Sequence, residues 1–213
     1  MILESIVTTV DVNGIVNVAP MGPMVEGDPL DPGRPMFVLR PWEGSRTCHN
    51  LLTTNRAVIH VVDDATLIAD AVLGTVDPVG MTVAVGSNGH WHRLINCHRW
   101  FAVETSRIER PLNPTRCERL GLHREPRIDG RHELWAETIQ SGVEQPFFGF
   151  NRARHAIIEA AILASRVQHL PTQAIESQLK LLRIAVDKTG EQAERDAMGR
   201  LEAYIQRQLE SGP

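Results

Sequence analysis

Five polar side chains between residues 40 and 50 have the types that hold an anion: Arg40, Ser45, Arg46, Thr47 and Asn50. An apolar run at 36–39 precedes them and a helical pattern over 48–54 follows them, which predicts a strand, a loop and then a helix start. Backbone N–H groups at a helix start are unpaired and partially positive, and hydroxyl and guanidinium groups add donors. The alternative is an ordinary helix cap, with the serine or a threonine capping and the arginines solvated. These residues alone leave both interpretations open.

A second candidate loop, 20–23, reads Pro-Met-Gly-Pro and ends a predicted strand. Gly22 between two prolines predicts an irregular loop whose backbone a ligand can approach closely. The commoner alternative is a turn that only ends the strand. Residues 2–10 and 15–19 are predicted strands on either side of an Asp-Val-Asn-Gly turn at 11–14, which predicts a β-hairpin.

Metal, nucleophile and nucleotide sites each lack the further residues that such a site would need in the sequence. His90, His92, Cys97 and His98 suggest a metal site, but their spacing matches no zinc motif, and we interpret them as an exposed polar hairpin. Cys48 at a helix start could be a reactive thiol, although a small buried apolar residue is the usual state of a free cysteine. The chain has no serine-hydrolase elbow, dinucleotide fingerprint or P-loop. A serine hydrolase, a Rossmann enzyme or a nucleoside triphosphatase is therefore disfavoured.

The composition narrows the class of protein and its compartment. The 213 residues carry a net charge of −4, with no basic run, which argues against a nucleic-acid partner. Three cysteines without a Cys-x-x-Cys pair favour reduced thiols. We find no signal-peptide pattern and no apolar segment long enough to span a membrane. The sequence predicts a soluble cytoplasmic protein.

The hydrophobic pattern divides the chain near residue 150. Short strands rich in β-branched residues dominate 1–150 and favour a small barrel over a doubly wound sheet. Residues 151–213 show helical periodicity, interrupted at Pro171 and Gly190, which predicts a helical hairpin extended by a third helix. The aromatic segment 147–150 is interpreted as an apolar plug between the two parts.

Several motifs, in order along nearly the whole chain, resemble a family of uncharacterised proteins catalogued as domain of unknown function 447. The motifs are Met1-Ile-Leu-Glu-Ser-Ile-Val-Thr-Thr9, Asn17-Val-Ala-Pro-Met-Gly-Pro23, Arg40-Pro-x-Glu-Gly-Ser-x-Thr-x-x-Asn-Leu51, Phe150-Asn-Arg-Ala153 and Ile158-Glu-Ala-Ala-Ile-Leu-Ala164. The resemblance implies a mainly β fold with α, namely a flavin-reductase-like split β-barrel followed by helices. It also implies non-covalent FMN and a homodimer with the flavins at the subunit interface.

The resemblance assigns roles to several residues. Ser45, Thr47 and Asn50 match the set that holds the FMN phosphate, with Arg40 or Arg46 adding charge. The isoalloxazine ring is expected against the loop formed by Ala19, Pro20, Met21 and Gly22. Asn151 and Arg152 match a family motif of undefined role, and the simplest interpretation is a helix cap and a solvated residue. His60 stands where related barrels often carry an asparagine, so a flavin contact from that strand is in doubt.

These implications give a leading hypothesis and alternatives. The leading one is an FMN-dependent oxidoreductase of flavin-reductase type, in which the flavin carries the redox chemistry and a nicotinamide or another small molecule donates electrons. No catalytic acid or base is identified. The first alternative is an FMN carrier or accessory protein without turnover, linked to C1-transfer metabolism. The second is an interaction module built on the helical tail, with a vestigial barrel site.

Overall fold

A computed structural model describes residues 1–26, 35–86, 89–106 and 131–211. The chain forms two compact units. The first, here called the barrel unit, comprises Met1–Val61 and Pro78–Gln145. The second, the helical unit, comprises Val62–Asp77 and Pro146–Pro213, so a segment from the first half of the chain belongs with the C-terminal helices.

The barrel unit is an antiparallel β structure with one helix, α1 (Arg46–Thr54). Its strands are β1 (Ser5–Val10), β2 (Val16–Met21), β3 (Met24–Glu26), β4 (Met36–Leu39), β5 (Arg56–Val61), β6 (Thr82–Val85), β7 (Trp91–Leu94), β8 (Arg99–Ser106) and β9 (Leu134–Val143). Seven of these strands form one sheet in the order β2-β1-β5-β8-β9-β4-β3. The other two, β6 and β7, form a separate hairpin.

The residues before β1 connect the two edges of the sheet. Ile2 forms an isolated antiparallel bridge with Met24 of edge strand β3. The Leu3 amide donates to the Pro23 carbonyl at 3.0 Å, and the Val25 amide donates to the Met1 carbonyl at 2.7 Å. Because this segment continues into β1, beside the opposite edge strand β2, the sheet curls into a split barrel.

The interior of the barrel is apolar and is filled from alternate positions of the strands. Val7, Ile59 and Phe101 face inward from neighbouring strands, and Phe37 packs against Phe101 with ring centroids 5.1 Å apart. Leu51 of α1 is fully buried in the same cluster. The apolar face of α1 therefore anchors this helix on the barrel.

The β6–β7 hairpin packs on the outer face of the sheet, and His60 is the buried link. Its Nδ1–H donates to the Ile6 carbonyl at 2.9 Å, and its Nε2 accepts the Leu94 amide at 3.0 Å. The Thr8 hydroxyl donates to the His92 carbonyl in the same interface. Burial lowers the pKa of His60 to about 4, so the ring is neutral near pH 7. The predicted polar hairpin exists, but part of it is packed rather than exposed.

The helical unit consists of α2 (Ala65–Leu73), α3 (Arg152–Ser165), a 3-10 turn (Val167–His169), α4 (Thr172–Thr189) and α5 (Gln192–Ser211). Its core is aliphatic and includes the fully buried Ile157, Ile175 and Leu201. Arg154 of α3 joins α5 to the segment before α2, because it contacts Asp63 at 2.6 Å and Glu194 at 3.4 Å. The three predicted C-terminal helices are present, and α2 packs against α3 and α5.

The aromatic segment before α3 is exposed rather than buried. Phe147, Phe148 and Phe150 expose 50%, 98% and 86% of their surface. The Phe150 ring lies 5.3 Å from that of Phe147 and 5.7 Å from the His155 imidazole. The prediction of an apolar plug is wrong, because all three aromatic side chains of this segment are exposed.

No helix among the described residues is long and apolar enough to cross a membrane.

Candidate functional site

The start of α1 carries the predicted serine cap. Ser45 has an extended backbone (φ −70°, ψ 151°), and its Oγ accepts the Cys48 amide at 3.1 Å. The turn before it depends on Gly44, whose φ of +78° is strained for other residues. Capping uses one lone pair of the Ser45 hydroxyl and leaves its proton available. The cap and an anion site are therefore compatible rather than exclusive.

The first turn of α1 presents donors that lack acceptors. Within the described parts of the chain, the amides of Arg46 and Thr47 have no acceptor, and neither does the Thr47 hydroxyl proton. No acidic residue lies in this turn, and the Arg46 side chain is exposed. The positive end of the helix dipole adds to the potential at this point. This arrangement favours an anion.

Behind these donors lies a network of two amides and two hydroxyls, buried except for the half-buried Asn17, which joins α1 to the β1–β2 hairpin. The Asn17 Nδ2 donates to Thr47 Oγ1 at 3.0 Å and lies 3.4 Å from Thr9 Oγ1. The Asn50 Nδ2 donates to Thr9 Oγ1 at 3.1 Å. Neither Thr9 nor Asn17 is among the site residues predicted from the sequence. The signal was available, since the Asp11–Gly14 turn sets a register in which these two residues are cross-strand partners.

One atom of this network is unsatisfied. Asn50 is only 1% exposed, and its Oδ1 has no hydrogen-bond partner among the described residues. An unsatisfied buried polar atom costs about 1–3 kcal/mol. A half-turn of the amide would let Oδ1 accept the Thr9 hydroxyl proton and leave the NH₂ group without a partner, which an anion could satisfy. The donor set thus fits a phosphate in one amide orientation.

The two predicted arginines have different surroundings. Arg40 contacts the Glu133 carboxylate, with 3.3 Å between Nε and Oε1, which offsets its charge. Arg46 is exposed at the helix start. It contributes weakly to a lowered pKa of Asp11, whose main cause is the hydrogen bond from the Ile15 amide. Arg46 is the better placed cation for a ligand at the start of α1.

The predicted ring-binding loop, Ala19 to Gly22, is mostly strand. The segment 20–23 ends β2, as predicted, but the strand runs through Pro20 and stops at Met21. Proline is tolerated there since β2 is an edge strand and needs no donor on its outer side. The Ser5 hydroxyl donates to the Met21 carbonyl at 2.7 Å. A Cβ on Gly22 would lie 2.8 Å from Ile2 Cγ2. The lack of a side chain at Gly22 is therefore needed to make room for the N-terminal segment.

Asn151 and Arg152 belong to the helical unit. Asn151 is the N-cap of α3, as predicted, and its Oδ1 accepts the amides of Ala153 at 2.8 Å and Arg154 at 3.2 Å. Its Nδ2 donates to the Thr189 carbonyl at 3.2 Å. Arg152 is exposed in the first turn. The geometry gives Asn151 a capping role, and a cofactor role for either residue stays a prediction.

The alternative chemistries gain no support from the geometry of the described residues. Burial raises the pKa of the Cys97 thiol to about 11 and also raises that of Cys48, so neither favours a thiolate. Both are free cysteines. No group of three or more His, Cys, Asp or Glu side chains in the described ranges is arranged to hold a metal ion.

The curled antiparallel sheet, the helix on the barrel and the C-terminal helices define a flavin-reductase-like split barrel with a helical extension. The chain belongs to the family described as protein of unknown function DUF447. The model of the family's N-terminal domain matches residues 3–126, and a second model of the family matches residues 151–203.

Solved structures resemble the chain at low sequence identity. An FMN-bound protein of the same family from Methanosarcina mazei is 20% identical and matches 95% of this chain and 94% of its own, with a TM-score of 0.70. This similarity shows the fold. Two more distant matches are component B of a nitrilotriacetate monooxygenase from Bacillus cereus (13% identity, 67% and 70% coverage, TM-score 0.47) and an FMN-binding protein from Thermus thermophilus (15% identity, 68% and 72% coverage, TM-score 0.46).

Proposed function

We propose that this protein is an FMN-binding flavoprotein that holds the flavin phosphate at the start of α1. The observation that carries the proposal is a set of donors there for which the described residues provide no acceptor, namely the amides of Arg46 and Thr47 and the Thr47 hydroxyl. A phosphate monoester is an anion rich in acceptors, and it is commonly bound at helix starts. The FMN-bound relative from Methanosarcina mazei supports the choice of this phosphate over others.

The residues of the barrel unit would divide the binding between the two ends of FMN. Ser45, Thr47 and the Asn50 amide would donate to the phosphate, with Arg46 adding charge. Arg40, paired with Glu133, would contribute less. Edge strand β2, from Ala19 to Met21, with Gly22 after it, would present its outer backbone groups to the ring.

We propose that the bound flavin is used in oxidoreductase chemistry of the flavin-reductase type. FMN would supply hydride acceptance and donation, and the chain would bind and orient it and leave access for a nicotinamide or another small donor. A homodimer with the flavins at its interface is part of the proposal, and so is a cytoplasmic location, supported by the free thiols of Cys48 and Cys97. A carrier or accessory role without turnover is the alternative.

An anaerobic titration separates these two roles. FMN-loaded protein is mixed with NADH or NADPH, and the flavin absorbance is followed. The reductase proposal predicts bleaching at one equivalent of donor per flavin and recovery of the absorbance in air. Flavin that stays oxidised with both nucleotides, but is reduced by dithionite, favours the carrier. Light scattering on the same sample tests the homodimer, which a monomeric mass for the FMN-loaded protein would contradict.

A further inference from the structure

We infer that Thr9 and Asn17 are positioning residues, which set the direction of the hydroxyl and amide donors that α1 offers to a phosphate group. The inference rests on the proposed function and deepens it. Both residues belong to the β1–β2 hairpin, and the family resemblance assigns no role in phosphate binding to this hairpin.

The hydroxyl of Thr47 differs from the other threonine hydroxyls of the same helix. Thr53 and Thr54 donate their protons to backbone carbonyls one turn earlier, at 2.9 Å from His49 O and Asn50 O respectively. Thr47, in the first turn, makes no such bond within the described residues, and instead its oxygen accepts from Asn17. Since the amide occupies an acceptor position of that oxygen, the hydroxyl proton is directed elsewhere. Asn17 therefore fixes Thr47 as a donor.

The Asn50 amide depends on Thr9 in the same way. Thr9 Oγ1 accepts from both Asn17 and Asn50, and the Oδ1 of Asn50 is buried without a partner among the residues that the structure describes. The Thr9 hydroxyl proton can satisfy that oxygen after a half-turn of the amide. The Asn50 NH₂ group then faces away from Thr9 and needs an acceptor. An oxygen-rich anion completes the network, whereas an uncharged ligand without such oxygens leaves it unsatisfied.

The position of Thr9 makes a stringent control possible. Thr9 lies on the same face of β1 as the core residue Val7, and its neighbour Thr8 lies on the opposite face. Thr8 and Thr9 are equally buried, at 1% exposure each, and each side chain makes a hydrogen bond. Replacing either by valine removes one hydroxyl at nearly constant volume. Only the Thr9 change touches the network at α1.

The test compares the dissociation constants of FMN and of riboflavin, which differ only in the phosphate. We measure them by flavin fluorescence for the wild type, Asn17→Ala, Thr9→Val, Thr9→Ser and Thr8→Val. Asn17→Ala and Thr9→Val are expected to weaken FMN binding by about tenfold, because each change misdirects one donor of α1 and so loses one hydrogen bond to the charged phosphate, with riboflavin changed less than about twofold. Thr9→Ser keeps the hydroxyl and should retain the wild-type ratio, as should Thr8→Val.

Two other outcomes overturn the inference in distinguishable ways. If the wild type prefers FMN over riboflavin but Asn17→Ala and Thr9→Val keep that preference, the two residues are merely structural and the proposed function stands. If the wild type binds no FMN, the proposed function fails and the inference fails with it. If Thr9→Val does not fold, the test rests on Asn17→Ala, and Thr9→Ser serves as the control that keeps the hydroxyl.

Discussion

The Asn17 amide and the Thr47 hydroxyl meet at 3.0 Å, although the two residues are 30 positions apart in the chain. This bond ties edge strand β2 to the first turn of α1. The candidate phosphate site is thus shared between a hairpin and a helix, and the loop before the helix supplies only part of it.

Removing the two hydroxyls at the start of α1 should weaken FMN binding. Ser45→Ala combined with Thr47→Ala removes two donors to a charged phosphate, which we expect to cost about 2–4 kcal/mol of binding free energy. Isothermal titration with FMN measures the loss. Thr53→Ala is the matched control, since that hydroxyl donates to the His49 carbonyl within the helix. Unchanged affinity in the double variant would mean that the phosphate binds elsewhere.

The two arginines near the site should respond differently to substitution. Arg46→Gln removes an exposed charge from the helix start, so we expect FMN to bind about two- to fivefold more weakly at low ionic strength, and less so as salt is added. Arg40→Gln leaves Glu133 without its ion pair and should act mainly on stability. Binding isotherms at two salt concentrations, with thermal melts, distinguish these effects. A larger loss of affinity from Arg40→Gln would contradict our assignment.

His60 should make the barrel unit acid-sensitive. Its pKa in the folded chain is about 4, against 6.5 for a free histidine, so between these values the unfolded chain binds a proton that the folded chain does not. Stability therefore decreases as the pH falls from about 6.5 to 4, by up to about 3 kcal/mol. Protonation of Nε2 also removes the acceptor for the Leu94 amide.

Urea unfolding across this pH range checks the role of His60. The variant His60→Gln should be less stable than the wild type at pH 7, yet lose less stability on acidification. An exposed histidine, His49, provides the control, because His49→Gln leaves the buried link intact. If His60→Gln and the wild type show the same pH dependence, the buried imidazole does not control acid stability.

Two glycines should respond in opposite directions to alanine. A Cβ on Gly142 would lie 2.7 Å from the indole Nε1 of Trp100, which is nearly buried and donates to Glu144 at 2.8 Å. We expect Gly142→Ala to destabilise the protein by about 1–3 kcal/mol through overpacking. A Cβ on Gly199, within α5, meets nothing within 4 Å, so Gly199→Ala should stabilise by about 0.5–1 kcal/mol. Denaturant midpoints measure both, and a neutral Gly142→Ala would show that the indole can shift freely.

Local chemistry made much of the architecture predictable from the sequence. The Asp-Val-Asn-Gly turn indicated the first hairpin, and in the structure the Asp11 carboxylate accepts the amides of Asn13 and Ile15 at 2.8 Å. Ser45 and Asn151 were recognisable as helix caps because their side chains suit that position. The C-terminal helices followed from their apolar periodicity. These signals act within a few residues of the chain.

The features that were missed depend on tertiary packing. Pro20 continues β2 only because that strand lies at the sheet edge, and an edge position is not a local property. Phe148 is exposed although aromatic residues are mostly buried, and its own sequence context carries no sign of this. The network at Asn50 joins residues 41 positions apart, so composition could suggest the helix start but not the partner Thr9. The resemblance to a family indicated FMN as the ligand, whereas the surroundings of the candidate phosphate site are set by tertiary packing.

The most direct test of the account is whether the purified protein binds FMN in proportion to its chains. Protein reconstituted with FMN and freed of excess ligand should show a flavin spectrum. On denaturation it should release about one FMN per chain, identified by mass, and riboflavin should bind more weakly because it lacks the phosphate held at α1. A colourless protein that takes up no FMN, or one that binds riboflavin as tightly as FMN, would contradict the phosphate site proposed at Ser45 and Thr47.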